Sequence, residues 1–176
     1  MLHSLSRKPS SDTLVGALLE CHARIRHFSA VARALADATG RSDADLVGAA
    51  EDVRRYFEQA LPLHARDEDD SIAPRLLGRE PTVDAALATM RSQHDEHRPS
   101  LTELVSVCDT IARAPGEHEA LRARLSRVVE HLVPQFEVHM ELEERVIFPA
   151  VLRWLDADVQ DLVRRELRAR RQEGGR

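Results

Sequence analysis

The sequence is poor in aromatic residues, in cysteine and in long apolar runs, and each shortage excludes a class of protein. Aromatic side chains make up 3% of its 176 residues, while Ala, Leu, Val, Arg and Glu dominate. That mixture favours helices and argues against a β-sandwich. A chain of this length fits one domain with a real hydrophobic core. The composition therefore predicts a single all-α domain.

The few cysteines, the absence of long apolar runs and the mild net charge also indicate where the protein is located and what it binds. Cys21 and Cys108 lie far apart and form no CxxC pattern, so reduced thiols and a cytoplasmic protein are expected. The N-terminal segment lacks the apolar core of a secretory signal, and no apolar run approaches the roughly 18 residues of a membrane span. The net charge of -5 is mild and the basic residues are dispersed. Neither nucleic acid nor a membrane is therefore an expected partner.

Apolar periodicity and helix-start signals divide the chain into four long amphipathic helices and a shorter fifth. Ser42 and Pro81 mark the starts of the second and third helices, Gly40 ends the first, and the fourth is expected to end at Pro149. Short loops predict an up-down-up-down antiparallel four-helix bundle. The predicted organisation is a disordered N-terminus over residues 1–11, the bundle over 12–152, and a C-terminal helix with a frayed tail over 153–176.

Pro62 and Pro134 fall inside the second and fourth helices. Proline removes a backbone donor and its ring crowds the preceding turn. Each of the two therefore predicts a kink or a local bulge.

Two segments of similar pattern carry polar residues on the inner faces. HARDEDDSIAP begins at His64, has Glu68 four positions later, and ends in proline six residues after that. HMELEERVIFP repeats this spacing from His139 and Glu143. Residues four apart share one helix face, about 5–6 Å apart at Cβ, so each pair presents a nitrogen and an oxygen ligand together. Both pairs continue apolar stripes, and buried carboxylates are costly unless a cation compensates them.

The first and third helices add histidines at the same level of the core. His22 continues the apolar stripe of the first helix, and His94 and His97 interrupt the seam of the third. Imidazole with carboxylate suits iron, manganese or zinc better than calcium or copper(I). The set exceeds what one ion can take, so it predicts two metal ions that share the carboxylates. The candidate metal ligands are His22, His64, Glu68, His94, His97, His139 and Glu143.

The third helix offers two candidates because two similarities between the halves of the chain disagree. A period of 75 residues relates the first His-x3-Glu pair to the second and also pairs His22 with His97. The local similarity of HARIR at 22–26 to HDEHR at 94–98 selects His94 instead. The correspondence is consistent with a duplicated helical hairpin whose pseudo-twofold axis passes between the two metals.

The remaining polar residues have simpler interpretations. The acidic run DEDD, residues 67–70, is interpreted as a solvated helix face in which only Glu68 has the phase of the inner stripe. Cys21 and Cys108 are interpreted as small core residues. The histidines that fall off the stripes or in loops are expected to be exposed: His3, His27, His118 and His131.

The chain resembles the hemerythrin-like, or HHE cation-binding, family. The resemblance rests on LLECHARIR at 18–26, HARDE at 64–68, QHDEH at 93–97 and HMELEERVIFP at 139–149, and it covers about residues 12–152. It implies a four-helix bundle whose cofactor is a pair of iron ions joined by an oxo or hydroxo bridge, with manganese or zinc as alternatives. It implies that both glutamates bridge the ions, and that the ligands are His22, His64, Glu68, His94, His139 and Glu143.

Two departures separate this chain from the oxygen-carrying hemerythrins. Those proteins place two histidines four apart on the third helix, whereas His94 and His97 are three apart. They also end with a carboxylate five residues after the last histidine, where this chain has Glu144 beside Glu143, so either glutamate is a candidate. The resemblance therefore points to peroxide handling or sensing rather than to reversible oxygen carriage.

Three function hypotheses follow. The first is a non-heme di-iron protein that binds or reacts with dioxygen or peroxide in the bundle core, with turnover left open because no dedicated acid or base residue stands out. The second is a metal-dependent sensor of oxygen, redox state, nitric oxide or iron, whose protein partner docks on the Arg-rich tail from Arg164 to Arg171. The third is a metal-free structural bundle. A ferritin-like site needs Glu-x-x-His, which does not occur in this sequence.

Overall fold

The computed structural model describes residues 12–173, which form five helices and no β-strand. The first four helices pack in cyclic order, each against the next and the fourth against the first, so the predicted up-down-up-down bundle is confirmed. The expected disorder of residues 1–11 and the fraying at 174–176 concern residues outside the described range. The helices are α1 (Leu14–Asp37), α2 (residues 43–76), α3 (Pro81–Arg113), α4 (residues 118–154) and α5 (Ala157–Glu173).

The predicted helix starts agree with the structure. The Ser42 hydroxyl accepts a hydrogen bond from the backbone N–H of Asp45 at 3.2 Å, which caps α2. Pro81 is the first residue of α3, a position where its missing N–H costs nothing. Gly40 and Gly78 follow α1 and α2 with φ values of 63° and 79°, the left-handed region in which glycine avoids strain.

Three π-helical segments, in which backbone bonds span five residues instead of four, interrupt α2 and α4. Each ends two residues before a proline: Pro62, Pro74 or Pro149. Proline cannot donate to the carbonyl four residues earlier, and its ring crowds that carbonyl, so a widened turn lets the helix continue. The segments are Tyr56–Ala60, Asp67–Ile72 and Glu143–Ile147.

These widened turns correct one expectation and confirm another. Helix α4 does not end at Pro149 but continues to Trp154. The bulge expected at Pro62 is present, whereas Pro134 lies within the α-helical stretch His118–Leu142.

The prolines of the two His-x3-Glu motifs also act on the glutamates. The carbonyl of Glu68 accepts the N–H of Ala73, and the carbonyl of Glu143 accepts the N–H of Phe148, both five residues ahead. Each glutamate therefore lies on a π turn set by the proline six residues after it. Such turns are frequent at functional sites.

The core consists of two apolar clusters at opposite ends of the bundle, with a polar layer between them. In α1, Leu18 belongs to one cluster and Ile25 to the other, and buried His22 lies between. The other three helices of the bundle repeat this order, and α5 packs on the cluster that contains Leu18. The buried polar residues of this layer include His22, His64, Glu68, His139 and Glu143.

The secondary expectations give a mixed outcome. His27 and His131 are exposed and both cysteines are buried, as expected, while His3 lies outside the described residues. His118 was expected to be exposed but is buried, because its Nε2 lies 2.8 Å from the carbonyl oxygen of Leu35 near the end of α1. Within residues 12–173, every helix is too short or too polar to span a bilayer.

Candidate metal centre

The polar layer brings six of the seven candidate side chains together as two groups. In each group, one ligand atom per residue lies within 4.8 Å of every other. The two glutamates belong to both groups, which is the arrangement expected of two ions that share carboxylates. The first group is His22, His64, Glu68 and Glu143, and the second is Glu68, His94, His139 and Glu143.

Glu68 faces a different histidine with each carboxylate oxygen. Its Oε1 lies 3.2 Å from His64 Nε2, and its Oε2 lies 3.3 Å from His94 Nε2. His64 precedes it by one helical turn on α2, while His94 comes from the neighbouring α3. Because His64 is in the first group and His94 in the second, one carboxylate spans both groups.

Glu143 repeats this arrangement from α4. Its Oε2 lies 2.9 Å from His22 Nε2, and its Oε1 lies 2.9 Å from His139 Nε2. Each group therefore contains two imidazole nitrogens and one oxygen from each glutamate. Glu144, the alternative candidate, lies outside both groups.

Three of the four grouped histidines have an acceptor at the outer ring nitrogen, Nδ1. An acceptor there places the proton on Nδ1 and leaves the lone pair of Nε2 free to bind a cation. Sequence reasoning considered Glu144 only as an alternative ligand to Glu143 and assigned neither Asp69 nor Gln93 to the site, although each of the three is adjacent in sequence to a candidate ligand. The pairs are His22 with Glu144 at 2.8 Å, His94 with Asp69 at 3.0 Å, and His139 with Gln93 at 2.9 Å.

The two glutamates differ in their electrostatics. Burial raises the pKa of Glu68 well above its usual range, and the nearby charge of Glu143 adds to this effect. Burial also acts to raise the pKa of Glu143, but the adjacent imidazoles of His139 and His22 outweigh it and hold the pKa below its usual range. Without a cation, one of the two carboxylates therefore favours its protonated form, whereas bound cations would favour both as carboxylates.

The histidines of the centre also differ. Burial lowers the pKa of His64 to about 3, so the imidazole is neutral and able to act as a ligand. Burial acts in the same direction on His94, but the carboxylates of Asp69 and Glu68 raise its pKa to about 10. A cation must therefore displace a proton at His94, whereas His64 has none to lose at neutral pH.

The donor atoms fit a pair of metal ions. Among the buried atoms without a hydrogen-bond partner in residues 12–173 are His64 Nε2, both carboxylate oxygens of Glu68, and Glu143 Oε1. Each such atom costs about 1–3 kcal/mol unless something compensates it. Each of these atoms nevertheless lies 2.9–3.3 Å from a nitrogen or oxygen atom of another candidate ligand, and short distances without hydrogen-bond alignment are typical of ligands to a common ion. Two nitrogens with two oxygens suit iron, manganese or zinc.

His97, the seventh candidate, lies outside both groups. It is 4% exposed, and its ring lies edge-on at 5.4 Å from the ring of His139 and 5.2 Å from that of Phe136. Burial lowers its pKa to about 4, which keeps the imidazole neutral. Between the two third-helix candidates, the structure therefore groups His94 with the glutamates.

A cavity of about 610 Å³ reaches the centre from the side of α2 and α3. Its lining includes His64 of the first group and His94 and His139 of the second, together with His97. On the α1 side, the ring of Phe148 packs 5.1 Å from the ring of His22. The cavity therefore offers an approach to the centre from the side of α2 and α3.

Asp67, expected to be solvated, is fully buried beside the centre. Arg170 Nη1 donates to one of its oxygens at 2.6 Å, and Arg171 Nη2 donates to the other at 2.7 Å. Arg170 also donates to the hydroxyl of Ser71 at 2.6 Å. Burial raises the pKa of Asp67 although both arginines oppose the shift. Helix α5 is thus tied to the residue that immediately precedes Glu68.

The chain matches the family model of the Hemerythrin HHE cation binding domain over residues 13–117, which is more than half of the chain. Searches of curated proteins and of solved structures each give no significant match. The matched residues include the first His-x3-Glu pair, and the fold brings the second pair, His139 and Glu143, to the same place. The chain belongs to the hemerythrin HHE cation-binding family.

Proposed function

We propose that this chain is a non-heme di-iron protein that binds or reacts with dioxygen or peroxide in the core of the bundle. The observation that carries the proposal is the sharing of Glu68 and Glu143 between two groups that each hold two imidazole nitrogens. Carboxylates shared in this way could hold two metal ions, one in each group. The proposed ligands are His22, His64, Glu68, His94, His139 and Glu143.

The rest of the site agrees with this proposal. Four protein donors to each ion leave coordination positions open for a small ligand, and a bound iron pair would supply the electrons for its reduction. The cavity offers the path, and the apolar side chains of Ile25, Leu61, Leu101 and Phe136 on its wall limit the entry of water. Glu144, Asp69 and Gln93 hold three of the four imidazoles in the tautomer that binds a metal.

Metal analysis of the natively purified protein tests the proposal. We expect about two iron ions per chain and a near-ultraviolet absorption band in the oxidised form, as a bridged ferric pair produces. One zinc ion without that band would contradict the di-iron assignment. Protein that binds no metal even after anaerobic addition of ferrous iron would contradict the function altogether.

Removing the metal should lower the thermal stability. Ions that bind only the folded state stabilise it by about 4 kcal/mol when present at roughly a thousand times their dissociation constant. For a chain of this length, that corresponds to a fall in Tm of roughly 8–16 °C after chelation. Calorimetry before chelation, after it, and after the return of ferrous iron measures the change. An unchanged Tm in protein shown to lose its iron would contradict a site that links four helices.

A sensor without turnover is the second candidate, and the tie between Asp67 and α5 is the observation that favours it. A change in metal occupancy or in the oxidation state of the metal at Glu68 would reach α5 through the adjacent Asp67. A partner protein bound to α5 would then sense that change. Stopped-flow mixing with hydrogen peroxide separates the two candidates. Sustained oxygen evolution would support an enzyme, and a stoichiometric spectral change alone would support a sensor.

A further inference from the structure

The cavity beside the centre is far larger than dioxygen or hydrogen peroxide requires. Its volume of about 610 Å³ falls among pockets of roughly 300–1,000 Å³ that enclose organic ligands, whereas a water-sized molecule needs about 30 Å³. It reaches histidines of both groups: His64 from the first, His94 and His139 from the second. A molecule that fills it would therefore place one end against the proposed metal pair.

The inner wall of the cavity is apolar. Leu61 and Phe136 are buried residues of the core, and Ile25 and Leu101 extend the same surface from α1 and α3. Removing apolar surface of a ligand from water here would favour its binding. The wall thus favours a hydrocarbon group over a polar one.

The rim of the cavity is charged, but its charges are balanced. Three arginines and three aspartates line it, and each arginine lies close to one of these aspartates. Because every guanidinium is already paired, the rim offers little to hold an anionic or a cationic head group. The pairs are Arg66 with Asp70 at 3.3 Å, Arg91 with Asp69 at 3.5 Å, and Arg98 with Asp95 at 2.7 Å.

His97 supplies a polar group beside the apolar side chains of this wall. Its ring is buried and lies 5.4 Å from that of His139, a proposed ligand of the second ion. A neutral imidazole offers one donor and one acceptor, and the contacts of the His97 ring with the rings of His139 and Phe136 use neither. Apolar pockets commonly orient their ligands with one such group.

We propose that the cavity binds neutral organic hydroperoxides, R–OOH, with an apolar R group of benzylic size, and orients them through His97 for reduction at the centre. This rests on the proposed function. The O–O bond breaks, one oxygen leaves as water, and the other remains on carbon as the alcohol: R–OOH + 2 e⁻ + 2 H⁺ → R–OH + H₂O. A reduced metal pair, when bound, would supply the two electrons, and solvent would supply the two protons.

Stopped-flow oxidation of the reduced, iron-loaded protein by cumene hydroperoxide and by hydrogen peroxide tests the proposal. We expect both to oxidise the wild type, with cumene hydroperoxide yielding one equivalent of 2-phenylpropan-2-ol per iron pair. In Leu101→Trp, which fills the cavity, the ratio of the cumene hydroperoxide rate to the hydrogen peroxide rate should fall roughly tenfold or more. Ala65→Leu narrows the opposite wall and repeats the test if the first variant does not fold.

Two further measurements complete the experiment. Leu152→Trp places the same bulk at an exposed position on α4 that does not line the cavity, so the ratio should not change. Calorimetric binding of 2-phenylpropan-2-ol to the protein, which involves no turnover, should weaken roughly fivefold or more in His97→Phe, since a good polar contact contributes about a factor of ten.

The outcomes distinguish this proposal from the proposed function. If hydrogen peroxide oxidises the wild type and cumene hydroperoxide does not, organic hydroperoxides are excluded and the di-iron function stands. If neither peroxide oxidises the iron-loaded protein, the proposed peroxide chemistry fails as well. An unchanged rate ratio in both cavity-filling variants would show that the organic substrate does not use this cavity.

Discussion

Replacing Glu68 with alanine should reduce the iron content of the purified protein from about two ions per chain to almost none. Glu68 offers one oxygen to each group, so its loss removes a donor from both proposed ions at once. A lost partner to a single histidine ligand already lowers metal affinity about 10–100-fold, and losing a shared ligand should cost more. Elemental analysis after dialysis against metal-free buffer measures the effect.

The neighbouring residues provide matched comparisons. Asp70→Ala removes a carboxylate from the same segment of α2, but that carboxylate is exposed and pairs with Arg66, so the iron content should not change. His94→Ala removes a ligand from the second group alone and should leave close to one ion per chain. Full occupancy in Glu68→Ala would contradict the shared-carboxylate centre.

The third helix requires its own comparison, because the sequence left two candidates there. His94 belongs to the second group and His97 lies outside both groups, so His97→Ala should retain about two iron ions per chain where His94→Ala retains about one. The reverse result would make His97 the ligand of α3. In that case His97 would be a metal ligand and not the polar group that we assign to the cavity wall.

Much of this bundle could be predicted because its signals are local. Helix starts such as Ser42 and loop glycines such as Gly40 act through neighbouring residues in the sequence. The His-x3-Glu pairs are equally local, since a spacing of four places both side chains on one helix face. The fold class and most of the grouped residues therefore followed from spacing alone.

The remaining features depend on relationships between helices, which spacing does not contain. The choice between His94 and His97 depends on how α3 is rotated and shifted along its axis relative to α2. The structure shows this arrangement through the contact of His94 with Asp69, which the sequence does not contain. The extension of α4 past Pro149 depends on a π turn, which the presence of a proline alone does not predict. The partners on the outer ring nitrogens were missed for a related reason, since adjacent helices determine which imidazole each one meets.

Asp67 is the clearest example of a residue that the sequence could not place. One position before Glu68 on a helix, it points about 100° away from the centre, which suggested solvent. The side it faces is covered by α5, a helix outside the predicted bundle. Its partners Arg170 and Arg171 are more than a hundred positions away in the sequence, so no local pattern relates them to Asp67.

Replacing Asp67 with alanine should destabilise the protein by about 3 kcal/mol, because removing one partner of a buried ion pair leaves the other charge without compensation. This value refers to Arg170, whose side chain is 13% exposed; Arg171 is 37% exposed and adds less. The expected fall in Tm is roughly 6–12 °C for a chain of this length. Asp161→Ala is the matched control, since it breaks an exposed ion pair with Arg164 on α5 and should change stability by less than about 0.5 kcal/mol.

Hydrogen exchange distinguishes local release of α5 from general destabilisation. If Asp67 ties α5 to the bundle through Arg170 and Arg171, amides of residues 157–173 in Asp67→Ala should exchange faster by a larger factor than those of α3. The ion pairs of Asp67 with Arg170 and Arg171 also link α5 to the residue next to Glu68. Chelating the metal from the wild type should therefore increase exchange in α5. Uniform loss of protection across all five helices would make Asp67 a purely structural residue. Unchanged exchange in α5 after chelation would remove the route on which the sensor candidate depends.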